Sequence, residues 1–283
     1  MTFAHILILA VIQGLAELLP ISSSAHVIVA EKLMGLDPSD SRMVFLLVML
    51  HTGTMFAVIV YFWSRWRNLI WPGDRSMPLS GSRYHFVWMV LLATIVSVAV
   101  GFGLIEGLKK LTGIAEPEEL FRNLPLIGSA LAAVGVFILL ASLFEIGATS
   151  PDVTAGSATF IGVVQGLAIP FRGFSRSGAT ISAGFLCGIN RRLSEDFSFA
   201  LAVLITPGVI GYSLWKLLRK ADWSAGLVNL LAPGLAGMVL AFLAGLAALR
   251  LLSTVLEHGG WKYFGLYCLA FAAVVFTVAF AGY

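Results

Sequence analysis

Gln13, Glu17, Ser22, Ser23, Ser24 and His26 place an amide, a carboxylate, three hydroxyls and an imidazole on one short stretch. Gln13 and Glu17 stand at i and i+4, so they share a helix face. Pro20 follows, and proline disfavours helical geometry at the residue before it, here Leu19. The serines then stand where a second helix would begin, among backbone N–H groups that side-chain oxygens cap, with His26 in its first turn. An acid and an imidazole inside an apolar segment are costly, which argues for use in acid–base or nucleophilic chemistry. As structure alone, they would be a capped helix held by a Glu–His hydrogen bond.

A second stretch reads Arg172-Gly173-Phe174-Ser175-Arg176-Ser177-Gly178-Ala179-Thr180. Ser175 and Ser177 can cap the helix that follows, and Gly173 and Gly178 let backbone approach a ligand closely. A helix N-terminus with free N–H groups favours an anion. Arg176 adds a planar fork suited to phosphate oxygens, and Thr180 adds a hydroxyl. As structure alone, the arginine would snorkel to lipid headgroups while the serines cap. Together the two stretches supply an acid, an imidazole, hydroxyls and a phosphate nest. Because both interrupt apolar segments, the substrate they suit joins a phosphate head to a hydrocarbon tail. Hydrolysis of a lipid phosphate ester or anhydride is the leading inference.

The elements that must position these groups are membrane helices. Of 283 residues, 59% are hydrophobic and 12% charged, with a formal net charge of +3; mean hydropathy is +0.93. So few charges cannot cover a soluble surface, and the composition also excludes disorder and a disulfide-stapled secreted module. The basic excess suits anionic lipid, and nucleic-acid binding is not expected. Cys187 and Cys268 lie in apolar segments without metal-ligand spacing. The N-terminal apolar run, with no basic residue before it and no cleavage site after it, reads as mature structure.

Six stretches reach the roughly 20 apolar residues that a spanning helix needs: Met43–Trp63, Phe86–Ile105, Leu124–Phe144, Phe197–Leu217, Leu227–Leu249 and Tyr263–Tyr283. Between the first two, Pro72, Gly73, Asp74, Pro78 and Gly81 mark a loop; a charged link runs from Glu106 to Arg122. Two further apolar segments are interrupted. Residues 3–35 break at Pro20 into Phe3–Leu19 and His26–Leu33, the latter only about 12 Å long. Residues 158–189 break at Pro170, Arg172 and Gly173 into pieces of roughly 18 and 22 Å. Each segment reads as a re-entrant helical hairpin whose turn faces a shared internal cavity, since polar backbone at membrane depth must be buried in protein or reached by water. Gln13-Gly14-Leu15-Ala16 recurs as Gln165-Gly166-Leu167-Ala168, each followed by a serine-rich broken turn, and Gly53 and Gly208 recur at a similar offset. The fold class expected is therefore all-α integral membrane: one domain, 1–283, of six transmembrane helices and two hairpins. It divides into a first repeat, 1–145, and a second, 152–283, each with three spans. An odd number of spans inverts the second copy. Lys and Arg outside the second turn divide evenly between the two sides, so charge gives no orientation.

The stretch Gln13-Gly-Leu-Ala-Glu17-Leu-Leu-Pro-Ile-Ser-Ser-Ser-Ala-His26 resembles the first motif of the bacterial undecaprenyl pyrophosphate phosphatases of the bacitracin-resistance type, Glu/Gln-x-x-x-Glu followed by Pro-x-Ser-Ser and a His. Gly173-Phe-Ser-Arg-Ser-Gly-Ala-Thr180 resembles their second, Pro-Gly-x-Ser-Arg-Ser-x-x-Thr, and the likeness covers essentially the whole chain. The resemblance implies removal of the terminal phosphate from a C55 polyprenyl diphosphate, regenerating the lipid carrier for cell-wall synthesis and giving bacitracin resistance. It also implies a divalent cation, and a bacterial inner-membrane site open to the periplasm. Carried over, the catalytic set is Glu17, Ser23, His26 and Arg176. Gln13, Ser22, Ser175, Ser177 and Thr180 fall at substrate-binding positions, and Arg172, an extra cation beside the phosphate loop, is expected to join them. Glu17 is the metal ligand for Mg²⁺ or Ca²⁺, with Gln13 a weaker carbonyl donor. Gln13 stands where many members have Glu, and Arg172 where the family has Pro. The nucleophile stays open between Ser23 with His26 as base, His26 itself, and water activated by His26.

The alternative function is a polyprenyl-phosphate or other anionic-lipid transporter or flippase, because inverted repeats with broken helices also build secondary transporters. Partners are the lipid substrate and bilayer lipids, with room for a homodimer. Glu31, Lys32, Asp37 and Asp40 read as headgroup-level residues, and His51 as a candidate for cavity lining. His85, His258, Trp63, Trp66, Trp71 and Trp261 suit the interface.

Overall fold

The computed structural model describes residues 2–37, 40–70, 84–113, 123–220 and 227–282. The expected loop at Pro72–Gly81 and the stretch 114–122 of the charged link lie outside these residues. Among these residues ten helices follow one another: α1 Phe3–Leu18, α2 Ser23–Leu33, α3 Ser41–Ile70, α4 His85–Thr112, α5 Leu124–Ser142, α6 Ala155–Ala168, α7 Arg176–Leu186, α8 Arg191–Lys220, α9 Leu227–Glu257 and α10 Trp261–Phe280. The chain is all-α among the described residues; a lone bridge, Ser150 with Ile189, ties the α5–α6 connection to the end of α7. Six helices (α3, α4, α5, α8, α9 and α10) are long and apolar enough to cross a membrane. They coincide with the six expected spans, several of them running well beyond the expected ends. Four shorter helices come in two pairs, α1 with α2 and α6 with α7.

Local sequence explains the starts and stops. Thr2, Asn123 and Thr154 accept backbone N–H groups at the N-termini of α1, α5 and α6, as capping hydroxyls and amides do. Gly113, at φ 70°, ends α4 in the left-handed conformation. Leu19, the residue before Pro20, is extended at φ −78°, ψ 150°, and closes α1.

Packing gives the repeated Gln-Gly pair a physical meaning. Gly14 lies so close to α9 that a Cβ there would stand 2.5 Å from the Cβ of Ala244. At Gly166 a Cβ would meet Val100 of α4 at 2.6 Å. Small residues let membrane helices approach when lipid supplies no hydrophobic drive. Gly14→Leu and Gly166→Leu are each expected to lower the melting temperature in detergent by several degrees, since overpacking costs about 1–3 kcal/mol. An unchanged melting curve for either would show that the contact gives way freely.

Two expectations are corrected. Trp261 is fully buried and donates its ring N–H to Ser182 at 2.9 Å, so it packs inside the protein and does not face lipid. Glu31 is likewise buried inside the protein, at 3% exposure, and does not face headgroups. A further polar cluster was not foreseen. Arg65 of α3 meets buried Glu195 at 2.9 Å and buried Asp196 at 2.7 Å at the start of α8, and Ser253 of α9 donates to Glu195 at 2.6 Å. Removing one partner strands a buried charge, so Arg65→Leu is expected to destabilise by about 3–5 kcal/mol. Thermal unfolding in detergent measures this; a shift under one degree would show the carboxylates to be compensated elsewhere.

Candidate active site

The two interrupted turns meet, and Glu17 lies between them. It sits in the last turn of α1 with its side chain 12% exposed. The chain turns back at Pro20, and Ser22 adopts φ 67°, ψ 95°, a left-handed conformation that non-glycine residues rarely take. Such strain gathers where a fixed geometry is used. It delivers Ser23 to the first position of α2, where its hydroxyl donates to Glu17 Oε2. Gln13, one turn earlier on α1, donates its amide to the same oxygen at 3.0 Å.

From the other side, Gly173 adopts φ 101° and packs against the backbone of Ile127, where a Cβ would not fit. Ser175 caps α7 by accepting from Gly178 N–H at 3.2 Å, as expected. That cap puts Arg176 at the first position of α7, and its guanidinium donates to Glu17 Oε1. Ser23 and Arg176 thus hold the same place on the two short helices, and each donates to one oxygen of the same carboxylate. Two more bonds lock the turns: Gly173 N–H to Ser24 Oγ at 3.2 Å, and Ser177 Oγ to the Leu19 carbonyl at 3.4 Å. Thr180 donates to the Arg176 carbonyl at 2.8 Å and lies 2.5 Å from Ser198 Oγ on α8, which fixes the first turn of α7.

A small cleft opens on this cluster. Glu17, Arg176, Ser177 and Thr180 line it together with Thr54, Met55 and Val58 of α3 and Ser198, Phe199, Val203 and Thr206 of α8. A carboxylate and a guanidinium in a mostly apolar cleft suit an amphiphile.

Glu17, Ser23, Gln13, Arg176, Ser177 and Thr180 therefore come together. Ser22 and Ser175 are buried beside them and shape the turns. Arg172 is exposed at its turn and does not line the cleft. His26 turns elsewhere. Its Nδ1–H donates to the Ser22 carbonyl at 2.8 Å, leaving Nε2 to accept from Tyr267 at 2.9 Å, and its ring stacks on Phe271 with centroids 3.7 Å apart. The imidazole beside Glu17 is instead His51 of α3, with Nε2 3.8 Å from Oε2. Sequence reasoning missed Ser198 and Gln165 as cleft residues. The recurrence of Gln165 at the Gln13 position was the available signal for one, and a serine between two phenylalanines gave almost none for the other.

The cation implied by the resemblance finds a poor donor set. Among the described residues no three His, Cys, Asp or Glu side chains gather. Both oxygens of Glu17 already accept from Arg176, Gln13 and Ser23. A carboxylate only accepts, so the NH₂ of Gln13 faces it and the carbonyl of Gln13 is turned away. The chain's own residues do not build a cation site here.

Fold and cleft together define a polytopic helical membrane protein with a carboxylate–guanidinium site in a mostly apolar cleft. The chain belongs to the BacA family: the family model described as Bacitracin resistance protein BacA matches residues 6–274. It is 52% identical to Undecaprenyl-diphosphatase 2 of Acinetobacter baylyi over 99% of both chains. It is 32% identical to the Undecaprenyl-diphosphatase of Desulfosudis oleivorans over 96% of both chains. A third relative, from Syntrophotalea carbinolica and of the same printed name, is also 32% identical, over 99% of this chain and all of its own.

Proposed function

We propose that this protein hydrolyses undecaprenyl diphosphate to the monophosphate and inorganic phosphate at the periplasmic face of the bacterial inner membrane. That reaction recycles the lipid carrier for peptidoglycan synthesis and confers bacitracin resistance. The family and the names of its relatives favour this over the transporter alternative. The observation that carries the chemistry is the paired donation of Ser23 and Arg176 to Glu17 in a mostly apolar cleft.

The reading assigns the nucleophile to Ser23. Its Oγ attacks the terminal phosphorus as its proton passes to Glu17 Oε2. An Oγ–P bond forms, the P–O bond to the bridging oxygen breaks, and the prenyl monophosphate leaves. Arg176, turned from Glu17 to the bound diphosphate, takes up charge on the phosphoryl oxygens as the transfer proceeds. Water then attacks the phosphoserine: a new O–P bond forms as the Oγ–P bond breaks, Glu17 returns its proton to Ser23 Oγ, and inorganic phosphate leaves with the water's proton. Ser177, Thr180 and the N-terminus of α7 add donors around the phosphate. His26 holds the strained Ser22 carbonyl and so sets the direction of Ser23. The two short helix pairs act as re-entrant hairpins of an inverted repeat; in support, α1 packs on α9 while α6 packs on α4, the exchange that two inverted halves would make.

Phosphate release by purified protein from C55 diphosphate, against a C55 monophosphate control, tests the activity; no release from the diphosphate removes the proposal. The reading places any divalent cation on the diphosphate oxygens. Chelator is then expected to lower turnover, with recovery at Mg²⁺ concentrations that track substrate, while leaving the melting temperature of the substrate-free protein unmoved. A rise of several degrees on adding Mg²⁺ alone would put the cation on the chain.

A further inference from the structure

Glu17 presents a problem for phosphate binding. Without substrate it occupies Arg176, the guanidinium that the diphosphate needs. Withdrawing Arg176 toward a phosphate leaves a carboxylate, 12% exposed, without its counter-charge. Among the described residues, one other basic side chain lies within ion-pair distance of Glu17: His51, with Nε2 3.8 Å from Oε2. Its orientation is fixed. Nδ1 meets the Leu47 carbonyl at 2.8 Å, and a carbonyl only accepts, so Nδ1 carries a proton and Nε2 is the nitrogen turned to Glu17. A proton carried on Nε2 would face Oε2 directly and make the pair an imidazolium and a carboxylate. The ring is 34% exposed and stands one turn along α3 from Met55, a residue of the cleft wall.

We infer that His51 is a positioning residue that takes over the charge of Glu17 when Arg176 turns to the substrate phosphate. The site works by exchanging partners: Glu17–Arg176 without ligand, Glu17–His51 and Arg176–phosphate with it. Gln13 cannot fill this place, because its amide is neutral and already donates to the same carboxylate. The inference rests on the phosphate-binding reading of Arg176 and adds the group that lets it act.

Binding of inorganic pyrophosphate to the full-length protein in detergent tests it. His51→Ala is expected to weaken pyrophosphate binding about tenfold and to raise KM for the lipid diphosphate by a similar factor. His51→Lys, which restores a cation, should return binding to within about threefold of wild type, which a merely structural histidine would not allow. His51→Gln keeps a donor without the charge and should bind as weakly as His51→Ala; it also covers the case in which the alanine variant unfolds. The decisive background is Glu17→Gln. With no carboxylate to hold Arg176, adding His51→Ala should change pyrophosphate binding less than twofold. An equal loss in both backgrounds would mean that His51 attracts the anion directly, and full binding by His51→Ala would mean that it does nothing; either overturns the inference. Undiminished binding by Arg176→Ala is a separate result: it overturns the parent reading and takes the exchange with it.

Discussion

Ser23→Ala is expected to lower kcat by at least about a thousandfold while leaving KM for the lipid diphosphate within a few-fold of wild type. The reason lies in what Ser23 does in the folded chain. Its hydroxyl is fixed by a short helix that starts on a strained residue, and it points at a carboxylate that can take its proton. Removing the oxygen removes the nucleophile but leaves Arg176, Ser177 and the α7 N-terminus to bind phosphate, so the loss belongs in kcat. Ser23→Cys should keep binding and show a slow, altered turnover. Wild-type protein quenched in acid during turnover should carry phosphate on Ser23. If Ser23→Ala turns over at a tenth of the wild-type rate or better, water is the nucleophile and Ser23 only orients Glu17.

How much of this site could be read beforehand follows from what sequence records. Pro20, the serines and the Ser-Arg-Ser run were legible because they violate an apolar pattern locally, and every consequence of that violation is local: a broken helix, a cap, a free N-terminus. The Gln-Gly recurrence was legible as a repeat, though its cause, close approach to α9 and α4, shows only once the helices are packed. The direction of His26 was not legible. Its spacing from Ser23 fits a shared face, yet the ring is drawn away by the hydroxyl of Tyr267 and the face of Phe271, more than two hundred residues along the chain. The same holds for Glu195 and Asp196. They stand just before an apolar run and carry no local sign of burial, but Arg65, from another helix, neutralises them and permits it. Partners distant in sequence decide whether a charge is buried, and a single chain of letters does not pair them.

Arg176→Ala is expected to remove turnover to below about a thousandth of wild type and to weaken phosphate binding as well, so that kcat falls and KM rises together. Unlike Ser23, Arg176 acts in both the ground state and the transition state: it holds the diphosphate on arrival and faces charge as the bridging P–O bond lengthens. Arg176→Lys keeps a cation but loses the planar fork, and should recover binding far better than rate. The substitution also reveals the resting structure. Arg176 is a structural tie between the two turns as well as the proposed phosphate ligand, yet Gly173 N–H to Ser24 and Ser177 to Leu19 still join them without it. The melting temperature of Arg176→Ala should therefore fall only modestly, while Gly173→Val, which drives a side chain into the Ile127 backbone, should unfold the junction outright. Retained turnover in Arg176→Ala, with the protein folded, would exclude the guanidinium from the reaction and leave the α7 N-terminus as the phosphate's principal partner.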